Sequence, residues 1–277
     1  AIPKLLLSIP ASGWDGRIGL PTRQKTPGIT DVVLKFEQKN RYPGIIELEA
    51  LALDMHRQAG FEVPRYWACN FKGMPALAVE RFDRDRNNNP LYAESLYSIL
   101  ASGAPLNNNF DYQYDLIAEA IDKSAVKIVS DPITAKEHLF KRLILALLTG
   151  NGDLHLENLS IYDRHDVDSK RSFTPVYDPT PMRAYSQHDL LSVMPFGNYG
   201  EVVDKQEMPV NLVQAIDRFA SHSGISDNRR QELVQECLAS SQDYSDRVAE
   251  LKTVPDENKT RLIKRVAEVR KKLLSHY

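Results

Sequence analysis

The sequence predicts a mixed α/β (α+β) protein with two lobes: a small α/β lobe over residues 1–83 and a larger, mostly helical lobe over residues 84–277. The length of 277 residues exceeds the roughly 100–200 residues that are usual for one domain. Up to residue 83, strand and turn signals alternate around a single helix, whereas beyond it apolar residues recur at helical spacing. The polar stretch 83–90, which contains three consecutive asparagines, is typical of a boundary between two such parts.

The composition excludes several other classes of protein. Apolar residues make up 42% and charged residues 26% of the chain, which is ordinary for a globular protein and excludes a disordered or collagen-like chain. The net charge of -2 provides no basic field for strong nucleic-acid binding, and no apolar run approaches the ~20 residues that span a bilayer. The two cysteines, Cys69 and Cys237, are too far apart in sequence to suggest a zinc site or a disulfide scaffold, so we expect a cytoplasmic protein.

The small lobe is predicted from short apolar and β-branched runs between turn signals. Residues 4–7 and 32–36 are predicted as strands, and residues 65–70 and 75–79 as a strand pair. A helix is predicted over 44–59, because Gly60 occupies the position expected just past a helix C-terminus.

The large lobe is predicted from helical periodicity, with an irregular middle. Residues 151–200 are rich in Asp, Asn, Gly and Pro, and long irregular segments inside a compact domain are usually functional. Segment 259–272 has seven basic residues against one acid, but its apolar residues recur at helical spacing, which predicts a docked helix with a solvated basic face. The predicted helices are 93–102, 111–129, 134–149, 210–223, 227–249 and 257–275.

Segment 150–162 (GNGDLHLENLSIY) contains the most informative spacing. Asp153 and Asn158 are five residues apart, which is the spacing of the D-x-x-x-x-N catalytic loop of kinases. Phosphoryl transfer requires a carboxylate that orients the attacking hydroxyl and an oxygen ligand for Mg²⁺, and these two side chains provide both. The alternative is a polar loop in which Asp153 caps a turn and Asn158 binds backbone.

A second magnesium ligand is predicted at Asp178, at the end of a strand over 174–178 that follows a hairpin-like excursion through 163–172. Mg²⁺ prefers one or two protein oxygens together with phosphate oxygens, which Asn158 and Asp178 would supply. Pro179 follows Asp178, so we expect extended backbone at Asp178.

Lys35 and Glu49 are predicted to form an ion pair. Lys35 interrupts an otherwise apolar strand, and Glu49 lies within the apolar stripe of the following helix, where an unpaired charge would be costly. Pairing removes that cost and would direct Lys35 at nucleotide phosphates. The alternatives are a solvent-facing Lys35 and a Glu49 at a partly wet helix edge. His56, on the same helix face, is interpreted as a core histidine.

Segment 76–83 is predicted to cross from the small lobe to the large one. In a nucleotide site between two lobes, such a strand offers backbone N–H and C=O groups to the adenine edge, and Phe82 would add apolar contact. From composition alone, the segment is equally a core strand that leaves a sheet.

Together these residues resemble the HipA family of bacterial serine/threonine kinase toxins, over most of the chain. The resemblance depends on the order of four motifs: 59–64 (AGFEVP), 79–84 (VERFDR), 150–158 (GNGDLHLEN) and 175–178 (PVYD). It implies a protein-kinase-like fold, and the short chain is similar to compact HipT-type members. Apolar residues usually follow the aspartate that matches Asp178, where this chain has Pro-Thr-Pro.

The resemblance also implies roles for individual residues. Asp153 would be catalytic, Asn158 and Asp178 would hold Mg²⁺, and Lys35 and His155 would contact ATP.

The segment 80–82 would bind adenine, so Glu80 and Phe82 are predicted nucleotide-binding residues. Lys4 matches the end of a Gln-x-Lys element that follows the autophosphorylated, serine-bearing phosphate loop, so Lys4 is predicted to reach phosphate. That loop is then expected before Ala1; the alternative is that residues 8–16 form it.

Members of this family phosphorylate protein targets, with aminoacyl-tRNA synthetases the best-known class, and are neutralised by a DNA-binding, HipB-like antitoxin. The resemblance therefore implies both a protein substrate and an antitoxin partner. Two rival functions stay open. Small-molecule phosphotransferases of the aminoglycoside or choline kinase type share the G-D-x-H-x-x-N pattern found at 152–158. A pseudokinase acting only within a repressor complex would show no Mg²⁺-dependent transfer.

Overall fold

A computed structural model of the protein describes residues 2–21, 26–38, 40–85, 87–103, 105–124, 127–164, 170–203 and 208–277. The strands are β1 (Lys4–Pro10), β2 (Ile29–Phe36), β3 (Tyr66–Phe71), β4 (Met74–Glu80), β5 (Tyr92–Ser95), β6 (Ser160–Arg164) and β7 (Lys170–Phe173). The helices are α1 (Ile45–Gln58), α2 (Leu96–Ala101), α3 (Tyr114–Lys123), α4 (Pro132–Thr149), α5 (Leu212–His222), α6 (Asp227–Ser240), α7 (Tyr244–Glu250) and α8 (Asp256–Leu274). None of the helices in these ranges is long and apolar enough to cross a bilayer.

The N-terminal sheet is antiparallel, with strand order β1-β2-β4-β3. One face carries Val32, Leu34 and Ala78, which are packed against a small cluster that includes Trp14 and Trp67. Because successive side chains alternate between faces, Lys35 and its neighbours point to the opposite face. Lys35 therefore lies on the same face of the sheet as Val33.

Helix α1 connects the N-terminal sheet to the helical part of the chain. It contacts β3 and β4 on one side and α4, α6 and α7 on the other. The predicted apolar stripe is buried, and Glu49 within it is 0% exposed. His56 is buried as predicted, and its Nδ1 lies 2.7 Å from the carbonyl oxygen of Ala52.

Helix α4 is the central element of the larger core. Asp131 caps its N-terminus by accepting from the backbone N–H groups of Ile133 and Thr134, and Pro132 occupies the first turn, where its missing N–H costs nothing. Nearly every residue from 139 to 149 is buried, and α4 packs against α3, α6 and α8. Helix α4 ends at Gly150, which has a left-handed φ of 72°. The core helix therefore delivers the chain directly into the polar loop that follows.

The C-terminal helix α8 confirms the prediction of a docked basic helix. Leu262, Val266, Val269 and Leu273 are all buried, and α8 packs against α4 and α7. Its basic residues are exposed or partly exposed.

Two predicted helices in the large part are wrong at their ends. Residues 92–95 form strand β5, because they pair with β6, a long-range contact that local periodicity does not contain. The predicted helix 111–129 is formed only over Tyr114–Lys123, and its residues 125–126 lie outside the described residues.

The predicted helix 227–249 is interrupted between α6 and α7. The hydroxyls of Ser240 and Ser241 both donate to the carbonyl oxygen of Cys237, and such side-chain bonds compete with continued helix. Tyr244 then turns inward, and its hydroxyl donates to Thr149 O at 2.9 Å. A buried tertiary contact thus decides where the second helix begins.

The predicted excursion through 163–172 corresponds to the antiparallel pair β6 and β7. Residues 165–169, between these two strands, lie outside the described part of the chain. Strand β7 ends at Phe173, so the strand predicted over 174–178 is wrong. That segment is irregular, and the N–H of Val176 donates to Glu62 O at 2.8 Å.

Candidate active site

A cleft of about 730 Å³ lies between the N-terminal sheet and the loops that follow α4 and β7. Its volume is within the range of small-molecule sites. The structure brings all the predicted site residues to this cleft, namely Lys4, Lys35, Glu49, Glu80, Phe82, Asp153, His155, Asn158 and Asp178. The alternative phosphate loop, residues 8–16, contributes no lining residue, and the Ser8 hydroxyl in β1 is buried, donating to Leu20 O.

The sheet forms an apolar roof with two lysines at one end. Leu6, Val33 and Val79 line the cleft on three adjacent strands, because Leu6 pairs with Val33 and Val33 with Val79. Two residues further along, Lys4 lies directly opposite Lys35 in the same register. Like charges that face each other across strands are destabilising, so this arrangement requires an anionic partner.

Asp178 is that partner. Its Oδ2 lies 2.6 Å from Lys4 Nζ, and its Oδ1 pairs with Lys35 Nζ. Lys35 also pairs with Glu49, which confirms the predicted contact. Lys35 is only 3% exposed, so the alternative of a solvent-facing lysine is wrong.

The pKa values in this cluster depend on burial and on the charged neighbours of each group. Burial alone would lower the pKa of Lys35, but Glu49 and Asp178 outweigh it and raise the pKa above its ordinary value. For Asp178, burial would raise the pKa, but Lys35 and Lys4 hold it well below the usual range. Burial raises the pKa of Glu49 despite Lys35. Glu49 is therefore the acid of the cluster that protonates most easily.

The backbone at Asp178 differs from the expectation. Its φ is +50°, so the prediction of extended backbone before Pro179 is wrong. Aspartate tolerates the left-handed region better than most residues. The Thr180 N–H donates to Asp178 O at 2.8 Å, and the two lysines hold the side chain. The tight turn thus directs the carboxylate at the sheet.

The loop after α4 is held by its own side chains. Leu154, Leu156 and Leu159 are buried and anchor it. The Asn158 side-chain amide donates to Asp153 O at 2.8 Å. This bond fixes the spacing of the two functional side chains across the loop.

Asp153 is partly exposed to the cleft, with a side chain 47% exposed. Burial raises the pKa of its carboxyl, and the nearby rings of His155 and His188 oppose that rise. The Nδ1 of His155 accepts from the Glu157 N–H at 3.2 Å, which assigns the ring proton to Nε2. That nitrogen is 3.8 Å from Asp153 Oδ1.

The crossing segment presents its backbone to the cleft. The Glu80 side chain is held by Arg65 at 2.6 and 2.8 Å and by Thr30 at 3.0 Å, so Glu80 lines the cleft without a free carboxylate. Its N–H donates to Arg65 O and the Arg81 N–H donates to Asp31 O.

At Phe82, no backbone acceptor for the N–H occurs among the described residues. The Phe82 ring stacks on Tyr177 with centroids 5.4 Å apart. Tyr177 is fixed in turn, because its hydroxyl donates to Glu157 O at 2.6 Å. The crossing segment and the loop before Asp178 therefore support each other across the cleft.

Several lining residues were not predicted. Leu6 and Val33 could have been predicted from the sequence, since they lie two positions from Lys4 and Lys35, respectively, and therefore on the same strand face as these lysines. Tyr42 and His188 also line the cleft, but they belong to irregular segments and have no motif around them.

Comparisons with known proteins identify the family to which this chain belongs. The family model of the HipA-like C-terminal domain matches residues 1–244. The chain belongs to this family. It is 28% identical over 153 residues to a Haemophilus influenzae protein named "Putative kinase", a match that covers 53% of this chain and 44% of that protein.

A second relative of this HipA-like chain is the Sinorhizobium fredii protein Y4mE, also named as a kinase. The two are 27% identical over 216 residues, which cover 76% of this chain and 48% of that protein. The HipA-like chain thus spans about half the length of the curated relatives it matches.

Solved structures confirm the predicted mixed α/β, kinase-like fold. HipA of Shewanella oneidensis MR-1, solved with HipB and its operator DNA, matches 97% of this chain and 65% of its own, with a TM-score of 0.66 at 18% identity. The Helicobacter pylori proinflammatory kinase CtkA matches 89% of this chain and 86% of its own, with a TM-score of 0.58 at 13% identity. At these identities the likeness concerns the fold.

Proposed function

We propose that this HipA-like protein is an ATP-dependent serine/threonine protein kinase. Residues 1–83 form its nucleotide-binding lobe, and residues 84–277 form the lobe that carries the catalytic loop. The observation that carries the proposal is the convergence of a paired lysine, Lys35, with Asp178 and the 153–158 loop on one cleft beneath an apolar roof. Each of these parts has a counterpart in the general scheme of phosphoryl transfer.

The nucleotide is proposed to lie along the roof. Leu6, Val33 and Val79 supply apolar contact for adenine, and the Phe82 N–H supplies a donor for its edge. Lys35 and Lys4 lie at the phosphate end, where Asp178 already balances their charge. His155 supplies an Nε2–H near the same end.

The residues present fit a magnesium ion. Because the Asn158 amide nitrogen donates to Asp153 O, its Oδ1 is left to face the cleft that Asn158 lines. Asp178 has lone pairs beyond those used by the two lysines, and its lowered pKa keeps it ionised. Asn158 and Asp178 would hold the ion, which would offset the charge of the phosphates.

Asp153 is proposed as the catalytic base that orients the acceptor hydroxyl. The other acid of the loop, Glu157, accepts from the Asn109 side-chain amide, whereas Asp153 is 47% exposed and has no lysine partner among the described residues, as an incoming hydroxyl requires. Its raised pKa moves it toward the range in which a carboxylate accepts a proton effectively.

The wider role is proposed to be that of a toxin in a toxin–antitoxin system. Family membership supports this, as does the Shewanella protein, which was solved with HipB and operator DNA. The partner would be a DNA-binding, HipB-like antitoxin, and the substrate a cytoplasmic protein such as an aminoacyl-tRNA synthetase. A serine in the protein's own N-terminal loop would be a further acceptor.

Transfer of radiolabelled γ-phosphate from ATP tests the proposal. We expect labelling of a protein band in a lysate, dependent on Mg²⁺, and a loss of about 10²–10⁴-fold in Asp153→Asn with ATP still bound. Asp246→Asn, at an exposed position of α7, is the matched control and is expected to act like the parent. An Asp153→Asn protein that transfers at the parent's rate would contradict the role of Asp153.

The same assay separates the rival functions. Strong turnover of an aminoglycoside or choline, without labelling of protein, would favour a small-molecule phosphotransferase. Absence of transfer and of ATP hydrolysis at high protein concentration would favour the pseudokinase.

A further inference from the structure

A further contact joins the two sides of the cleft, separate from the ion pairs of Asp178 and from the stacking of Phe82 on Tyr177. The Tyr42 hydroxyl, in the loop before α1, lies 2.8 Å from Nε2 of His188, in the irregular segment after Asp178. The two rings are 5.5 Å apart between centroids. Both residues line the cleft, so the contact lies inside the candidate site.

The backbone around this contact is also fixed. Tyr185 packs edge-on against Tyr42 with centroids 5.1 Å apart, and its hydroxyl donates to Pro43 O at 3.0 Å. On the other side, a Cβ built at Gly152 would lie 2.9 Å from Leu190 O and 3.9 Å from His188 O. The segment that carries His188 is therefore packed directly against the residue that precedes Asp153.

The hydrogen bond assigns the protonation of the ring. Tyr42 is 5% exposed, and among the described residues its hydroxyl has no other acceptor. A buried hydroxyl donates where an acceptor exists, so the Tyr42 O–H donates to Nε2. The neutral His188 ring then carries its proton on Nδ1, which has no hydrogen-bond partner within the described part of the chain.

We propose that His188, through its Nδ1–H, donates a hydrogen bond to the phosphoryl group during transfer, and that Tyr42 positions the ring. This inference rests on the proposed kinase function. Negative charge is spread over the equatorial oxygens of the phosphoryl group in transit, and fixed donors directed at such charge are effective in a partly desolvated site. The two lysines and Asp178 lie at the sheet side of the cleft, so a donor beside Asp153 supports the opposite side.

Transfer of the γ-phosphoryl group to the acceptor hydroxyl requires no proton from His188. The bond between the γ-phosphorus and the β–γ bridging oxygen breaks, and a bond between that phosphorus and the acceptor oxygen forms. The acceptor's hydroxyl proton passes to Asp153, and ADP leaves with the bridging oxygen. His188 keeps its proton throughout and contributes a hydrogen bond.

The test compares His188→Ala, His188→Asn and Tyr42→Phe in the full chain, with ATP binding measured separately from transfer. Removal of one such donor should lower kcat about 100-fold in His188→Ala, with ATP affinity changed less than about twofold. The asparagine amide N–H occupies nearly the position of Nδ1–H, so His188→Asn should recover most of that loss. Tyr42→Phe should lower kcat by a smaller factor and add nothing when combined with His188→Ala.

The matched control is His276→Asn, in the exposed last turn of the chain, which should keep the parent's kcat. His188→Ala at the parent's kcat would overturn the inference. A tenfold loss of ATP affinity at unchanged kcat would also overturn it, because that result assigns the Tyr42–His188 pair to lobe closure. A His188→Asn variant that recovers no activity would overturn it as well. A parent that transfers no phosphate refutes the proposed function itself, and this inference with it, whereas an active parent with an unaffected His188→Ala refutes only the role of His188.

Discussion

Lys35→Met removes the cation that two acids share in the interior of the cleft. Met is close in length to the lysine stem, so the packing of the strand face is retained and the change is mainly one of charge. Glu49 is 0% exposed and pairs with Lys35 alone among the described lysines and arginines. Its Oε2 already lacks a hydrogen-bond partner there. Asp178 keeps Lys4, so Glu49 is the group left uncompensated.

Breaking a buried pair from one side costs about 3–5 kcal/mol. Because Glu49 can escape part of this cost by taking up a proton, we expect a loss near the lower limit, about 3 kcal/mol, in the free energy of unfolding at pH 7. The double variant Lys35→Met/Glu49→Leu also removes the orphaned acid. Replacing a whole buried pair by apolar groups is often close to neutral, so the second substitution should recover at least about 1.5 kcal/mol.

The loss of unfolding free energy in Lys35→Met should increase as the pH rises. Burial raises the pKa of Glu49 even in the parent, and the loss of Lys35 raises it further. The unfolded chain then binds fewer protons than the folded one above the ordinary pKa of Glu, so stability falls as the pH rises through the folded pKa. The destabilisation by Lys35→Met should therefore be larger at pH 8 than at pH 5.

Urea unfolding provides the measurement, with Trp14 and Trp67 as fluorescent reporters beside the N-terminal sheet. Lys123→Met is the matched control: the Lys123–Glu119 pair is exposed, and such pairs contribute about 0.2–1 kcal/mol. The reasoning is refuted if Lys35→Met lies within about 1 kcal/mol of the parent, or if the double variant is as unstable as the single one.

Two further predictions concern the fold. Burial, with a smaller effect of Arg142, lowers the pKa of His56 to about 3. Below pH 6.5 the unfolded chain therefore binds a proton that the folded chain does not, and the free energy of unfolding falls as the pH falls. The loss between pH 6.5 and pH 5 is about 1.5 kcal/mol. His56→Leu should reduce the slope in urea titrations across this range, leaving the contribution of His138, whose pKa burial also lowers, and an unchanged slope would count against a buried neutral His56. Gly197→Ala should cost more than ~3 kcal/mol, because the Cβ would lie 1.9 Å from the Ala215 carbonyl oxygen at a φ of +50°. Gly60→Ala, with open space at a φ of +83°, should cost only about 1–2 kcal/mol, and equal melting temperatures for the two variants would exclude the proposed clash.

Periodicity and capping in the sequence determined the local elements. The apolar stripe of α1 placed Glu49 inside the core, and the residues of α8 separated a docked face from a basic one. These predictions succeeded because each depends on neighbours within about two helical turns, and hydrophobic burial acts on such patterns directly.

Long-range contacts decided the features that the sequence did not predict. Strand β5 replaces the start of a predicted helix because its pairing partner, β6, lies more than sixty residues further along the chain. The inward turn at Tyr244 separates α6 from α7 because its acceptor, Thr149, belongs to α4.

Within the candidate site, the sequence by itself determined which residue types carry the chemistry, and the tertiary structure decided how they meet. No local pattern gives the register that sets Lys4 opposite Lys35, the left-handed turn that aims Asp178 between them, or the bond from Tyr42 to His188. Each of these joins segments that are distant in the chain. Their geometry is fixed only when the sheet, α1 and α4 pack together, since a charge that packing buries requires a partner.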